Sequence, residues 1–152
     1  MIATAQSIEE LSLNITQEIH VKAPIATTFA ALLEELGPGF ANMEGQSMMA
    51  KIEPWPGGRW YRDLGENNGH FWGVVQAIKK PTLLEITGPL MMSYAVVNNV
   101  QYRLSEVSGG TLIKFHHKAF GQIPQDHRDG MPKGWTTIME RARARAEAGG
   151  KK

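Results

Sequence analysis

At 152 residues, 42% of them hydrophobic, the chain has the length and apolar content of one domain with a sizeable core, expected to be ordered from about residue 12 to 148. Sixteen Lys and Arg against fifteen Asp and Glu leave a formal charge of +1, so no global field draws a polyanion and nucleic acid is not an expected partner. Cysteine is absent, which removes disulfides, thiolate metal sites and cysteine nucleophiles and fits a cytoplasmic protein; no basic leader or bilayer-length apolar run is read, so membrane insertion is not expected.

Leu13, Ile15, Ile19 and Val21 alternate with polar residues, with Gln17 the one polar residue on their side, and predict a half-buried first strand. Pro24 suits the first turn of a helix, and Ile25, Phe29, Leu32, Leu33 and Leu36 form its apolar stripe up to Gly37-Pro38-Gly39. Residues 40–47 have no clear period, and Met48 to Glu53 reads as extended. Pro54-Trp55-Pro56-Gly57-Gly58 supplies the preset φ and the positive φ of a tight reversal, and a strand follows over Arg59–Leu64. Gly65 to Gly69 is turn chemistry, His70–Ile78 a further strand, Leu83–Thr87 a shorter one, and Tyr94–Val107 pairs with Gly110–Ala119 across Ser108-Gly109. Last comes a helix over Gly134–Ala148, with Trp135, Ile138, Met139, Ala142 and Ala146 on one face and charges on the other; Gly149-Gly150-Lys151-Lys152 reads as a frayed tail. One strand, one helix, a meander and a final helix predict an α+β fold with its helices on one face of an antiparallel sheet.

Four stretches carry a family resemblance: Ala23-Pro24-Ile25 with Phe29 and Leu32; Glu53-Pro54 with Pro56-Gly57-Gly58-Arg59; Gly73-Val74 through Pro81 to Leu84; and Gly110-Thr111 through His117 and Phe120 to Gly134-Trp135. In this order they resemble the helix-grip superfamily of START-like and birch-pollen-allergen-like proteins, and within it the bacterial proteins named after the Hsp90 ATPase activator. The resemblance implies a curved sheet of about six or seven antiparallel strands wrapped around the C-terminal helix, with a cavity between them for a small apolar or amphipathic molecule. Two departures stand out. The aromatic pair common after the first helix is replaced by Gly37 to Met43, and an expected leucine of the last helix is Ala142, so ligand identity does not carry over.

Strand parity nominates the residues that share the concave face. In the pair of long strands these are Asn98, Val100 and Tyr102 with Phe115 and His117; in the earlier strands they are Trp60 and Arg62 with His70, Trp72, Val74 and Gln76, an assignment that a bulge would flip. Trp135, Met139 and Ala142 face them from the helix, which places the expected cavity beneath Met139 and Ala142, opposite Tyr102 and His117. His117 is a weak candidate for proton transfer, with His70 and Tyr102 as alternatives in an enzyme, weighed against a histidine bonded to backbone or water. An inward Arg62 calls for a carboxylate partner or an anionic ligand. Met48, Met49, Met91 and Met92 are gap-fillers or, around Leu90–Ser93, a pliable pocket mouth. His116 and His117 point to opposite faces and no clustered ligand spacing exists, so neither a metal nor another cofactor is expected. Binding of an apolar or amphipathic molecule is the leading expectation. A polyketide-cyclase-like or hydrolase-like enzyme using the same cavity is the alternative, and a chaperone-interacting module the third; a homodimer is left open.

Overall fold

The computed structural model describes residues 6–149, so the expected tail beyond Gly149 lies outside the described residues. A one-turn helix α1 (Ile8–Leu11) leads into β1 (Ser12–Val21) and α2 (Ile25–Leu36). Six strands follow: β2 (Ala50–Ile52), β3 (Arg59–Gly65), β4 (Asn68–Lys79), β5 (Leu83–Gly88), β6 (Val96–Val107) and β7 (Gly110–Gly121). The chain ends in α3 (Gln125–Glu147). Every pairing is antiparallel in the order β1-β7-β6-β5-β4-β3-β2, so the first strand closes against the last and α2 and α3 share the concave face. This is the α+β arrangement that the order of elements predicts and the helix-grip fold that the family resemblance implies. No described helix is long and apolar enough to cross a membrane.

The long strands form because apolar side chains recur at period two over a buried face. In β6 and β7 the alternation is unbroken: Asn98, Val100, Tyr102 and Leu104 are buried against Ile113, Phe115 and His117, and the intervening residues face outward. In β3 and β4 it is broken twice. Trp60 pairs with Gly73 and Tyr61 with Phe71, so Trp72 is an extra residue, and a second shift lies between Val75 and Ala77. Each bulge reverses the parity downstream of it. Trp72 and Val75 are therefore buried, while Val74 pairs with Thr87 on the convex face and Gln76 is exposed there, accepting a hydrogen bond from the Thr87 hydroxyl. The expected inward placement of Val74 and Gln76 is thus corrected.

The last helix begins nine residues before the expected Gly134, because Gly130, Pro132 and Gly134 mask its first half. Glycine and proline cost a helix interior about 1 and about 3 kcal/mol relative to alanine. Tertiary bonds hold the segment instead. Arg128 donates to the carbonyls of Ile123, Ser12 and Glu10, the Gln17 amide donates to the Pro132 carbonyl at 2.8 Å, and the Tyr94 hydroxyl meets His127 Nδ1 at 2.7 Å. At the other end of β1, the Lys22 amide donates to Glu147, so α3 ties down both ends of this edge strand. Beside it, Glu35 of α2 is buried and accepts from Arg145 Nε at 2.8 Å. Burial pushes the Glu35 carboxyl up while the Arg145 bond and charge pull it back.

Candidate functional site

The volume beneath Met139 and Ala142 is filled by aromatic side chains. Tyr102, Phe115 and Trp135 form a row with centroid separations of 4.9 and 4.8 Å, and Val100, Met139 and Ala142 close around it. Tyr102 keeps a hydroxyl, and Glu35 one carboxylate oxygen, without a hydrogen-bond partner among the described residues; burial first, and the Glu35 charge second, push the Tyr102 phenol up.

His117 stands at the end of this row with 0% of its surface exposed. The Trp135 indole N–H donates to His117 Nδ1 at 2.9 Å, which leaves the ring proton on Nε2, 2.7 Å from the Asn98 side-chain oxygen. Asn98 in turn donates to the carbonyls of Gly88 and Pro89. Both ring nitrogens are engaged, and burial lowers the pKa of His117 to about 4, so the imidazole is neutral near pH 7. The chain of bonds fastens α3 to β7, β6 and the turn after β5. It leaves His117 no free lone pair for proton transfer, contrary to its nomination as an acid–base group.

An apolar cleft opens instead on the flank of the first half of α3. It has a volume of about 340 Å³ and lies between the loop after α2, the segment after β5, and α3. Phe40, Ala41, Asn42, Met43 and Met48 form one side and Leu90, Met91 and Met92 another; His127, Met131, Gly134, Trp135, Thr137, Ile138 and Arg141 come from the helix. Five of the eight methionines are therefore here. Arg141 shapes the wall by donating to the carbonyls of Ala41 and Asn42 at 2.9 and 3.1 Å, which pins the loop to the helix. Gly134 widens it, since a Cβ there would meet nothing within 4 Å.

The segment after β5 reaches the cleft through a close approach of backbones. A Cβ on Gly88 would lie 2.5 Å from Gly73 Cα, so only glycine lets the chain fold back there, and the Leu90 amide then bonds to the Trp72 carbonyl at 2.7 Å. Leu90 and Met49 hold left-handed backbones, at φ 58° and 53°; the other two non-glycine residues in that region, Glu66 and Asn67, occupy the β3–β4 turn. Strained backbone of this kind is commonest at binding sites and tight turns.

Trp135 is the one of the fourteen nominated residues that lines this cleft. Trp60 and Trp72 lie behind it, packed on Phe40 with centroids 6.1 and 5.6 Å away, and Trp60 caps α2 by donating to the Leu36 carbonyl. Arg62 and His70 line a separate, polar cleft beside Asn68. Among the described residues no group of three or more His, Asp and Glu side chains is placed to hold a metal ion.

Comparison with known proteins joins this geometry to a family. Residues 22–147 match the family model described as Activator of Hsp90 ATPase homolog 1-like protein. The chain belongs to this family. No curated protein matches by sequence. Among solved structures similar to the Hsp90-activator-like chain is a protein from Nitrosomonas europaea, 19% identical with a TM-score of 0.62, over 93% of this chain and 96% of that one. An AHSA1-like protein from Aeromonas hydrophila is 17% identical with a TM-score of 0.63, over 91% and 94%. The di-domain ARO/CYC protein StfQ of the steffimycin biosynthetic pathway is 11% identical with a TM-score of 0.63, over 93% of this chain and 52% of that one. At these identities the likeness is one of fold.

Proposed function

We propose that this member of the family binds a small apolar or amphipathic molecule in the methionine-lined cleft beside the first half of α3, as a soluble carrier or receptor. The cleft itself carries the reading: about 340 Å³ of largely apolar space within a fold whose similar structures include an ARO/CYC protein of a biosynthetic pathway. Flexible thioethers suit it to an irregular apolar guest, and Met43, 60% exposed, with Met91 forms an adaptable mouth. The helix half that walls it contains Gly130, Pro132 and Gly134 and is held by side-chain bonds more than by its own propensity, so it can adjust to a guest at small cost.

Native mass spectrometry of the protein purified from its own host tests this reading. The expected result is a co-purifying small molecule that is absent from Gly134→Leu, in which the added side chain occupies the cleft. A guest retained undiminished by Gly134→Leu would place binding elsewhere, and the absence of any guest, together with failure of apolar probes to bind, would overturn the reading.

A further inference from the structure

Polar side chains of β3 and β4 lie near the cleft's methionines in the chain, and their chemistry bears on the head group of the guest. Arg62 lies in β3 on the concave face: it is opposite Ala50, which is buried, and opposite His70 across the β3–β4 ladder. Its Nε is buried, and the side chain makes no hydrogen bond or ion pair with any described residue. The acid that shares its recess, Asp63, is already engaged with Lys51 at 2.7 Å. A half-buried guanidinium without a counter-charge, its inner edge sealed from water, favours an anion at its outer edge.

His70 and Ser93 complete the arrangement. The Trp72 indole N–H donates to His70 Nδ1 at 2.9 Å, so in the neutral ring the proton is on Nε2, which lies 3.2 Å from Ser93 Oγ. The Ser93 hydroxyl accepts this bond and keeps its own proton to donate outward. Ser93 directly follows Met92, and Arg62 pairs with Ala50, two residues after Met48; both methionines line the apolar cleft. His70 and Arg62 line a polar recess distinct from the cleft, together with Arg59, Tyr61, Asp63 and Phe71.

We infer that Arg62, with the Ser93 hydroxyl oriented by His70, forms an anion site at the sheet-side margin of the cleft, and that the guest is an amphipathic anion whose carboxylate or phosphate monoester binds there while its apolar part enters among the methionines. This rests on the cleft reading of the preceding section. Arg141, the arginine that lines the cleft, is engaged with two backbone carbonyls and serves the loop.

Calorimetric titration with decanol, decanoate and decyl phosphate separates the two claims. The wild type is expected to bind decanol and to bind at least one of the anions about tenfold more tightly, the difference made by one charge-assisted contact. Arg62→Gln is expected to bind decanol as before and to lose the preference, and Ser93→Ala to reduce it; decanol binding also reports that each variant is folded. Should Arg62→Gln not fold, Arg62→Lys, which keeps the charge, and Ser93→Ala carry the test. Equal affinities for alcohol and anions in the wild type, or a preference unchanged in Arg62→Gln, would overturn the anion site and leave the apolar cleft standing. Failure of all three probes to bind would overturn the cleft reading and this inference with it.

Discussion

Two tryptophan–histidine pairs have the same local chemistry and opposite surroundings. Trp135 donates to Nδ1 of His117, and Trp72 donates to Nδ1 of His70, each at 2.9 Å. From His117 the bonds run to Asn98 and end on the carbonyls of Gly88 and Pro89, a circuit closed inside the core. From His70 they run to the exposed Ser93, whose proton remains free, beside the unpaired Arg62. The same tautomer thus serves cohesion in one place and presents a donor in the other. What differs is whether the last group in line is satisfied by the protein.

Perturbing the closed circuit is expected to have the largest effect. Trp135→Ala removes a buried ring and strands His117 Nδ1, and should cost about 3–5 kcal/mol in urea denaturation; an unchanged stability would show that the ring does not anchor α3. Next in size is the acid response of His117. Because burial lowers its folded pKa from 6.5 to about 4, the unfolded chain binds a proton in that interval that the folded chain refuses. Its contribution is fully present above pH 6.5 and falls as the pH drops towards 4, by about 3 kcal/mol. The raised Glu35 pKa acts in the opposite sense, so the difference between the wild-type and His117→Leu stability curves isolates the imidazole. A difference independent of pH between 4 and 6.5 would refute a buried neutral His117.

Smaller effects belong to the open side. Gly134→Leu should raise stability by about 0.5–1 kcal/mol through helix propensity while blocking the cleft, a stabilised but binding-deficient variant. Ser93→Ala should change stability by less than about 0.5 kcal/mol, since the residue is exposed and the His70 ring keeps its bond to Trp72. A larger loss would mean that the His70 arrangement is a second cohesive circuit, and the contrast drawn here would fail.

Much of this architecture is legible in the residues because burial imposes a period. Ile15 and Val21 mark β1, Phe29 and Leu32 mark α2, and the unbroken alternation from Asn98 to Leu104 puts Asn98, Tyr102 and His117 on the concave face, where they lie. Bulges leave no such trace. The extra residue at Trp72 and the shift before Ala77 alter pairing without altering composition, which is why simple alternation puts Val74 and Gln76 on the wrong face. The first half of α3 was hidden by Gly130, Pro132 and Gly134, and with it His127 and Met131, two of the cleft's residues. One trace of the cleft was visible: the run Leu90-Met91-Met92-Ser93 suggested a pliable mouth, and Met48, Met91 and Met92 do line it. Periodicity could not reveal that the rings of Tyr102, Phe115 and Trp135 pack in a row, because that depends on rotamers and not on spacing.

Methionines occupy both regions, so they can report on them together. With methyl-labelled methionine, the protein titrated with decanol and followed by NMR should show the methyl signals of Met48, Met92 and Met131 moving as the cleft fills, while that of Met139, sealed beneath the middle of α3, stays in place. A shift confined to Met139, with the cleft methionines unmoved, would put the guest under the helix and contradict the account.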